Sequence, residues 1–427
     1  MTSRSTLFHS LIIILAMTIA ILPGASALAQ DPVYRDQNKY PVLDEMVEAR
    51  DAVKALRDSV RQEVDDRYED KAEAKEDAAP DLRVDWSDIK SPSTPGEFDS
   101  LWHLPPTPQF YTGTCWAFCS TSFIESEAQR VGGVEVKLSE MWIVYWEYVE
   151  KSRSFLRSFG HTPVAQGGQD HGTLEIMRQY GAVTREAYPG VLAADGRYDH
   201  TPLVRELKGY LNWVLESGSW AEEQNLAYVR SILDKHMGTP PLDLQYDGKT
   251  YTPGDFVEKV LQLDMDDYVA CVSRMNEPFH TRVLLDVEDN WRRKEDYLNL
   301  PLDEFYQVIK ESVQAGYTLS IGGDNSEAGM DGKFDTAIIP EWDIPLKYIN
   351  QGSREFRIAN RTTGDDHGVH IVAFKPLGDR DWFLIKDSNR SSRLGEHKGY
   401  YFWSGDYIQL KMLSFTVHKD RLKGLLD

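Results

Sequence analysis

The chain has 427 residues, 41% of them hydrophobic and 27% charged, a balance that supports a buried core and excludes a disordered or collagen-like polymer. A formal net charge of −21 repels phosphate backbones and anionic lipid heads, which disfavours nucleic acids and membrane surfaces as partners. Three cysteines, Cys115, Cys119 and Cys271, are too few for a disulfide framework, and their odd count leaves at least one thiol unpaired within the chain.

In chain order, the first element is an apolar run from Leu11 to Leu22, followed by the small residues Ala27-Leu28-Ala29. It is short for a membrane span of ~20 residues and reads as a secretory signal peptide over 1–29. Its removal takes away only Arg4 among the charged groups, so the mature chain is more acidic still. The expected destination is periplasmic or extracellular, with no membrane attachment after cleavage.

Residues 30–80 form a charged segment in which Leu43, Met46, Val53, Leu56, Val60 and Val64 recur at helical spacing, predicting an amphipathic helix for which docking on the body, pairing with another chain and a removable pro-segment are the competing roles. From 81 to 190 the pattern is helical. Pro105-Pro106-Thr107-Pro108 predicts an extended lead-in, Cys115 then opens a helix running to about 131, and Ser139 caps a second. A further helix is expected over 172–181. Residues 191–310 read as a long helical insertion. Residues 311–427 change to period-two patterning, "YTLSIGG", "HGVHIVAF", "DWFLIKD" and "GYYFW", with a turn at "PLGDR". Helices first and antiparallel strands later predict an α+β fold with a cleft between the two parts.

A thiolate attacks a carbonyl carbon far better than a thiol, and the positive end of a helix dipole favours the charged form. Cys115 has that position. Its partner is expected to be His367, at the start of a predicted strand, with Asp387 at the end of the neighbouring strand accepting the ring N–H. Cys271, in the apolar context "YVACV", reads as a core residue, and Cys115 and Cys119 are too awkwardly spaced for a bridge.

The stretch "QFYTGTCWAF" at 109–118 resembles the active-site segment of papain-like cysteine peptidases, and "LSE" at 138–140, "GGQ" at 167–169, "YGAVTREAYPG" at 180–190, "DHG" at 366–368 and "LIKDS" at 384–388 continue the resemblance in the family's order. The insertion, with "LDMDDYV" at 263–269, is most similar to the bleomycin hydrolase and aminopeptidase C branch. The resemblance implies a papain-like two-part fold, peptide substrates, no cofactor or metal, and an architecture compatible with homo-oligomers. It also implies Cys115 as nucleophile, His367 as acid and base, Asp387 as its orienting partner, and Gln109 with the Cys115 backbone N–H as the oxyanion hole. Gly167 and Gly168 would pair with an extended substrate, and Asp366 and the C-terminal Asp427 would contact it. Through Asp427 the last few residues would hold a free amine and confer aminopeptidase character. An open endopeptidase cleft and a catalytically weakened peptide-binding module are the competing expectations.

Where the family usually orients the histidine with asparagine this chain has Asp387, which would hold the histidine in its charged form to unusually high pH. Where a tryptophan normally shields that contact it has Asn389, which predicts a wetter pair. Thr112 stands where papain has a disulfide cysteine. His171, near the glycines, reads as a surface residue at a helix start, and the acidic stretch 323–335 lacks the regular spacing of a calcium loop.

Overall fold

The computed structural model describes residues 41–43, 45–57, 60, 82–191, 193 and 195–426. The signal-peptide expectation and Asp427 therefore lie outside the described residues. Contacts divide the chain into two units, Met1–Pro80 and Asp81–Asp427. In the first, the described residues are helical, as the spacing predicts, with Met46, Val53 and Leu56 exposed.

The second unit begins its regular structure at the cysteine. Helix α1 (Cys115–Gly132) starts where the proline-rich lead-in ends and stops at Gly133, whose φ of 66° suits a glycine. Ser139 caps α2 (Glu140–Arg157), its hydroxyl accepting the Trp142 N–H at 3.0 Å. Helix α3 (Asp170–Tyr180) ends at Gly181, at φ 71°, where a Cβ would lie 2.1 Å from the Pro253 carbonyl carbon. Two long helices follow, α4 (Thr201–Ser217) and α5 (Glu222–Met237), then a hairpin of β1 (Leu244–Tyr246) and β2 (Lys249–Tyr251) and a π-helical turn at Phe256–Leu261.

The expected helical insertion over 191–310 is only half right. After the π-helical turn come β3 (Tyr268–Val272), β4 (Arg282–Val283) and β5 (Tyr297–Asn299), and β3 lies inside the main sheet beside the last strand. "YVACV" is buried throughout, and a short all-apolar run fits a buried strand and a buried helix equally well. Cys271 is a core residue, fully buried.

Helix α6 (Leu302–Gln314) leads to β6 (Leu319–Gly323), the short strands β7 (Met330–Asp331) and β8 (Thr336–Ala337), and α7 (Gln351–Ala359). The hairpin of β9 (His367–Leu377) and β10 (Arg380–Lys386) turns at Gly378-Asp379, and β11 (Tyr400–Ser404), α8 (Gly405–Lys411) and β12 (Met412–His418) complete the chain. The ten-stranded sheet runs β4-β5-β3-β12-β6-β9-β10-β11-β8-β7. It is antiparallel except where β5 meets β3 and β8 meets β11, so the fold is α+β as expected.

Helix α1 packs along β9 and is buried on every side from Trp116 to Ala128. One core lies among the helices, around Trp142, Leu207 and Phe256, and another on the sheet, around Phe305, Phe383 and Trp403. Burial of α1 brings charge with it. Glu125 accepts Lys137 Nζ at 2.7 Å and the Leu138 N–H at 3.0 Å, and the same ammonium reaches Glu140 at 2.5 Å. The two carboxylates hold the Lys137 ammonium in its charged form against the penalty of burial.

Removing Lys137 would leave two buried carboxylates without their counter-charge, so Lys137→Met should lower stability in urea unfolding by ~3–5 kcal/mol. Adding Glu125→Gln and Glu140→Gln should recover most of that loss; a single variant as stable as wild type would contradict this account of the cluster.

Candidate active site

The segment before α1 closes on itself. Gln109 Nε2 donates to the Thr112 carbonyl at 2.7 Å, Thr112 Oγ1 donates to the Gln109 carbonyl at 2.9 Å, and the Gly113 N–H reaches Gln166 Oε1 at 2.9 Å. Phe110 sits at φ 53°, a conformation unfavourable for a bulky side chain that these surrounding bonds hold in place. The turn delivers Cys115 as the first residue of α1, half-buried, with its backbone N–H free of helical partners by position.

His367 opens β9, paired with Gly323 of β6, and its Nε2 lies 2.7 Å from Asp387 Oδ1. Cys115 is the other group close enough to act on the ring, and both residues line one cleft. Burial pushes the imidazole toward neutrality, but the Asp387 carboxylate and then Cys115 outweigh it and hold the ring well above the ordinary histidine range. Asp387 follows β10, accepts the Asn389 N–H at 2.9 Å, and its Oδ2 has no hydrogen-bond partner among the described residues. Its charge is therefore balanced chiefly by the imidazolium.

The wetter pair expected from Asn389 is not found. His367 is 6% exposed and Asp387 2%, so the contact is dry without an aromatic shield. Burial pushes the Arg393 guanidinium below its ordinary range, and the Asp387 charge offsets part of that.

Gln109 is buried beside this group. Its Oε1 accepts the Ser388 hydroxyl at 2.7 Å and its backbone N–H donates to the Ser388 carbonyl at 3.0 Å, which locks the 109–114 turn to the residue after Asp387. An amide nitrogen has two donors, of which one binds the Thr112 carbonyl. The geometry thus joins Cys115, His367, Asp387 and Gln109, four residues expected from the sequence.

The glycines need a correction. Gly168 lines the cleft beside Cys115 and packs on Trp116, where a Cβ would lie 2.8 Å from the indole ring. Gly167 does not line it: its carbonyl is taken by Lys151 Nζ, and the Asp289 carboxylate covers its open face. Asp366 lines the cleft, its Oδ1 accepting the Asn325 N–H at 3.0 Å.

The C-terminal tail is a second correction as far as its described residues go, Asp427 itself lying outside them. Strand β12 starts beside Gly323 at the His367 end of the sheet and runs away to His418, paired with Tyr268. The turn Lys419–Leu422 then packs on α6, with Leu422 in the sheet core and Arg421 over Tyr317. None of the described residues 419–426 lines the cleft. A third concerns His171, which is not a surface residue. It is buried, Nδ1 bonds the Tyr297 hydroxyl at 2.7 Å, and burial pushes it down to about 4.

Sequence reasoning missed Lys151, Gln166, Ser388 and Asp289. Ser388 alone carried a signal, standing inside "LIKDS"; the others lie outside any motif and reach the site only through the fold. Among the described residues no group of histidines, cysteines or carboxylates has metal-binding geometry.

The Peptidase C1-like family model matches residues 93–424. Aminopeptidase C of Lactococcus lactis is 22% identical over 358 residues, covering 74% of this chain and 81% of that protein. Aminopeptidase G and aminopeptidase W of Lactobacillus delbrueckii are each 23% identical, the first covering 74% of this chain and 81% of its own length, the second 75% and 82%. Among solved structures, PepW from Lactobacillus rhamnosis shares the fold, with a TM-score of 0.63 at 19% identity over 78% of this chain and 84% of that one. With a buried imidazole bonded to a carboxylate beside a helix-initial thiol, and a family match spanning most of its length, the chain belongs to the Peptidase C1-like family and is a cysteine peptidase.

Proposed function

We propose that the protein is an exported aminopeptidase that removes residues from peptides with a free N-terminus. Export rests on the apolar run at 11–22 and the small residues at 27–29; the exopeptidase reading rests on the relatives named aminopeptidase C, G and W. The single observation that carries the chemistry is the 2.7 Å bond from His367 to Asp387, with Cys115 lining the same cleft as the imidazole.

The steps follow from that arrangement. The Cys115 thiolate attacks the scissile carbonyl carbon, and the oxygen that gains the charge is met by the Cys115 backbone N–H and the Gln109 amide N–H. As the tetrahedral intermediate collapses, the His367 imidazolium gives its proton to the departing amine and the C–N bond breaks, leaving a thioester on Cys115. Water then attacks the thioester while His367 takes its proton, and the acid product leaves as the thiolate reforms. Asp387 keeps the ring oriented and its charged form favoured throughout.

Matched peptides with free and acetylated N-termini test the reading in reducing buffer. The free peptide should be cleaved, the acetylated one spared, and Cys115→Ala should lose turnover by about 10⁴-fold or more; equal cleavage of both peptides would contradict the exopeptidase assignment. The pH profile tests the ion pair. Because Asp387 raises the titration of His367, the imidazolium persists to high pH and activity is lost only as pH climbs through that raised value. Asp387→Asn should move the alkaline limb of kcat/KM down by about one pH unit or more, and an unmoved limb would show that Asp387 does not set it.

A further inference from the structure

Between β4 and β5 the chain forms a strap pinned to the helical part. Trp291 Nε1 donates to the buried Glu147 of α2 at 2.7 Å and Arg292 Nη1 to the same oxygen at 2.8 Å, Lys294 pairs with Glu175 of α3, and Asn290 Nδ2 donates to the Leu285 carbonyl at 2.9 Å. So held, the strap lays Asp289 against Gly167, with its Oδ2 only 2.1 Å from where a Cβ would stand. Any side chain at 167 would displace it. Asp289 faces the same narrow cleft as Cys115, Gly168, Asp365 and Asp366.

The cleft wall carries more negative than positive charge. Lys151 is the cation felt at Asp289, and its ammonium is bound to the carbonyls of Ala165 and Gly167 rather than paired with the carboxylate. Asp365, bonded to Gln169, is pushed up to about 7 by burial and then by the Asp289 charge. Asp170 also lines the cleft, and its buried Oδ2 accepts no hydrogen bond among the described residues. Crowded, partly desolvated carboxylates call for a cation, and an ammonium group with three N–H donors fits that demand.

We propose that Asp289 determines specificity by receiving the α-ammonium of the substrate beside Gly168, closing the end of the cleft that would otherwise take residues N-terminal to the scissile bond. The proposal rests on the aminopeptidase reading and names the group that enforces it. An acetylated terminus has no charge to offer Asp289 and sets a methyl group against a carboxylate. A free terminus gains a charge-assisted hydrogen bond and seats the first peptide carbonyl at Cys115.

The test is steady-state kinetics of the full chain on one peptide with a free and an acetylated N-terminus, comparing wild type with Asp289→Asn, Asp289→Ala and Asp289→Glu. Alkylation of Cys115 by iodoacetamide reports whether the nucleophile is intact. In the Asn and Ala variants the KM for the free peptide should rise about 10- to 100-fold, with a smaller change in kcat and an unchanged alkylation rate. Their preference for the free over the acetylated peptide should shrink in step, and Asp289→Glu, which keeps the charge, should retain most of it. Asn and Ala variants that keep the wild-type KM and preference would overturn the role of Asp289 and leave the aminopeptidase reading standing. Wild type that cleaves both peptides equally would overturn both.

Discussion

A charged imidazole survives burial only beside a carboxylate, and the bond from His367 to Asp387 is the constraint on which the active site depends. His367 opens β9 and Asp387 directly follows β10, so the pair sits at one end of a hairpin whose register is fixed by the two strands. Helix α1 packs against β9, which His367 opens, and brings Cys115 to the cleft that His367 also lines. Breaking the bond would leave Asp387 Oδ1 with only the Asn389 N–H and Oδ2 with no partner among the described residues. Site and fold are therefore stabilised by the same contact.

An aspartate in this place does more than an asparagine would. An amide orients the ring but carries no charge, whereas Asp387 also adds an electrostatic preference for the imidazolium. The pair stays dry without a tryptophan because the surrounding strands and the Gln109 loop cover it, with Ser388 bonded to Gln109 through both side chain and backbone. The same bonds couple the oxyanion side of the site to the acid–base side, so Gln109 and Asp387 are set by one short segment.

Much of this was legible because its signals are local. A proline lead-in before an apolar helical stripe placed Cys115 at a helix start, Ser139 capped α2 as its residue type predicts, and the Gly-Asp turn fixed the β9–β10 hairpin that brings His367 to Asp387. What stayed hidden depends on long-range pairing. Nothing near "YVACV" indicates that it pairs with β12, more than 140 residues away, and a fully apolar run does not declare its period. His171 has a surface-like sequence context but is buried by Tyr297, a residue of the strap's far end. Asp289 is one of many acidic residues in the chain, and only the folded strap shows that it lies on Gly167. The described part of the tail departs from expectation for a topological reason: β12 begins at the catalytic end of the sheet and leaves at the other, carrying residues 419–426 away from the cleft.

The central claim is that His367 is a buried imidazolium paired with Asp387 in the resting enzyme. Its most direct test is an NMR titration of the histidine rings, with the His367 signal assigned by its loss in His367→Gln. The account predicts that this ring stays protonated across neutral pH and releases its proton well above the ordinary value of 6.5. A His367 ring that is neutral at pH 7 would contradict it.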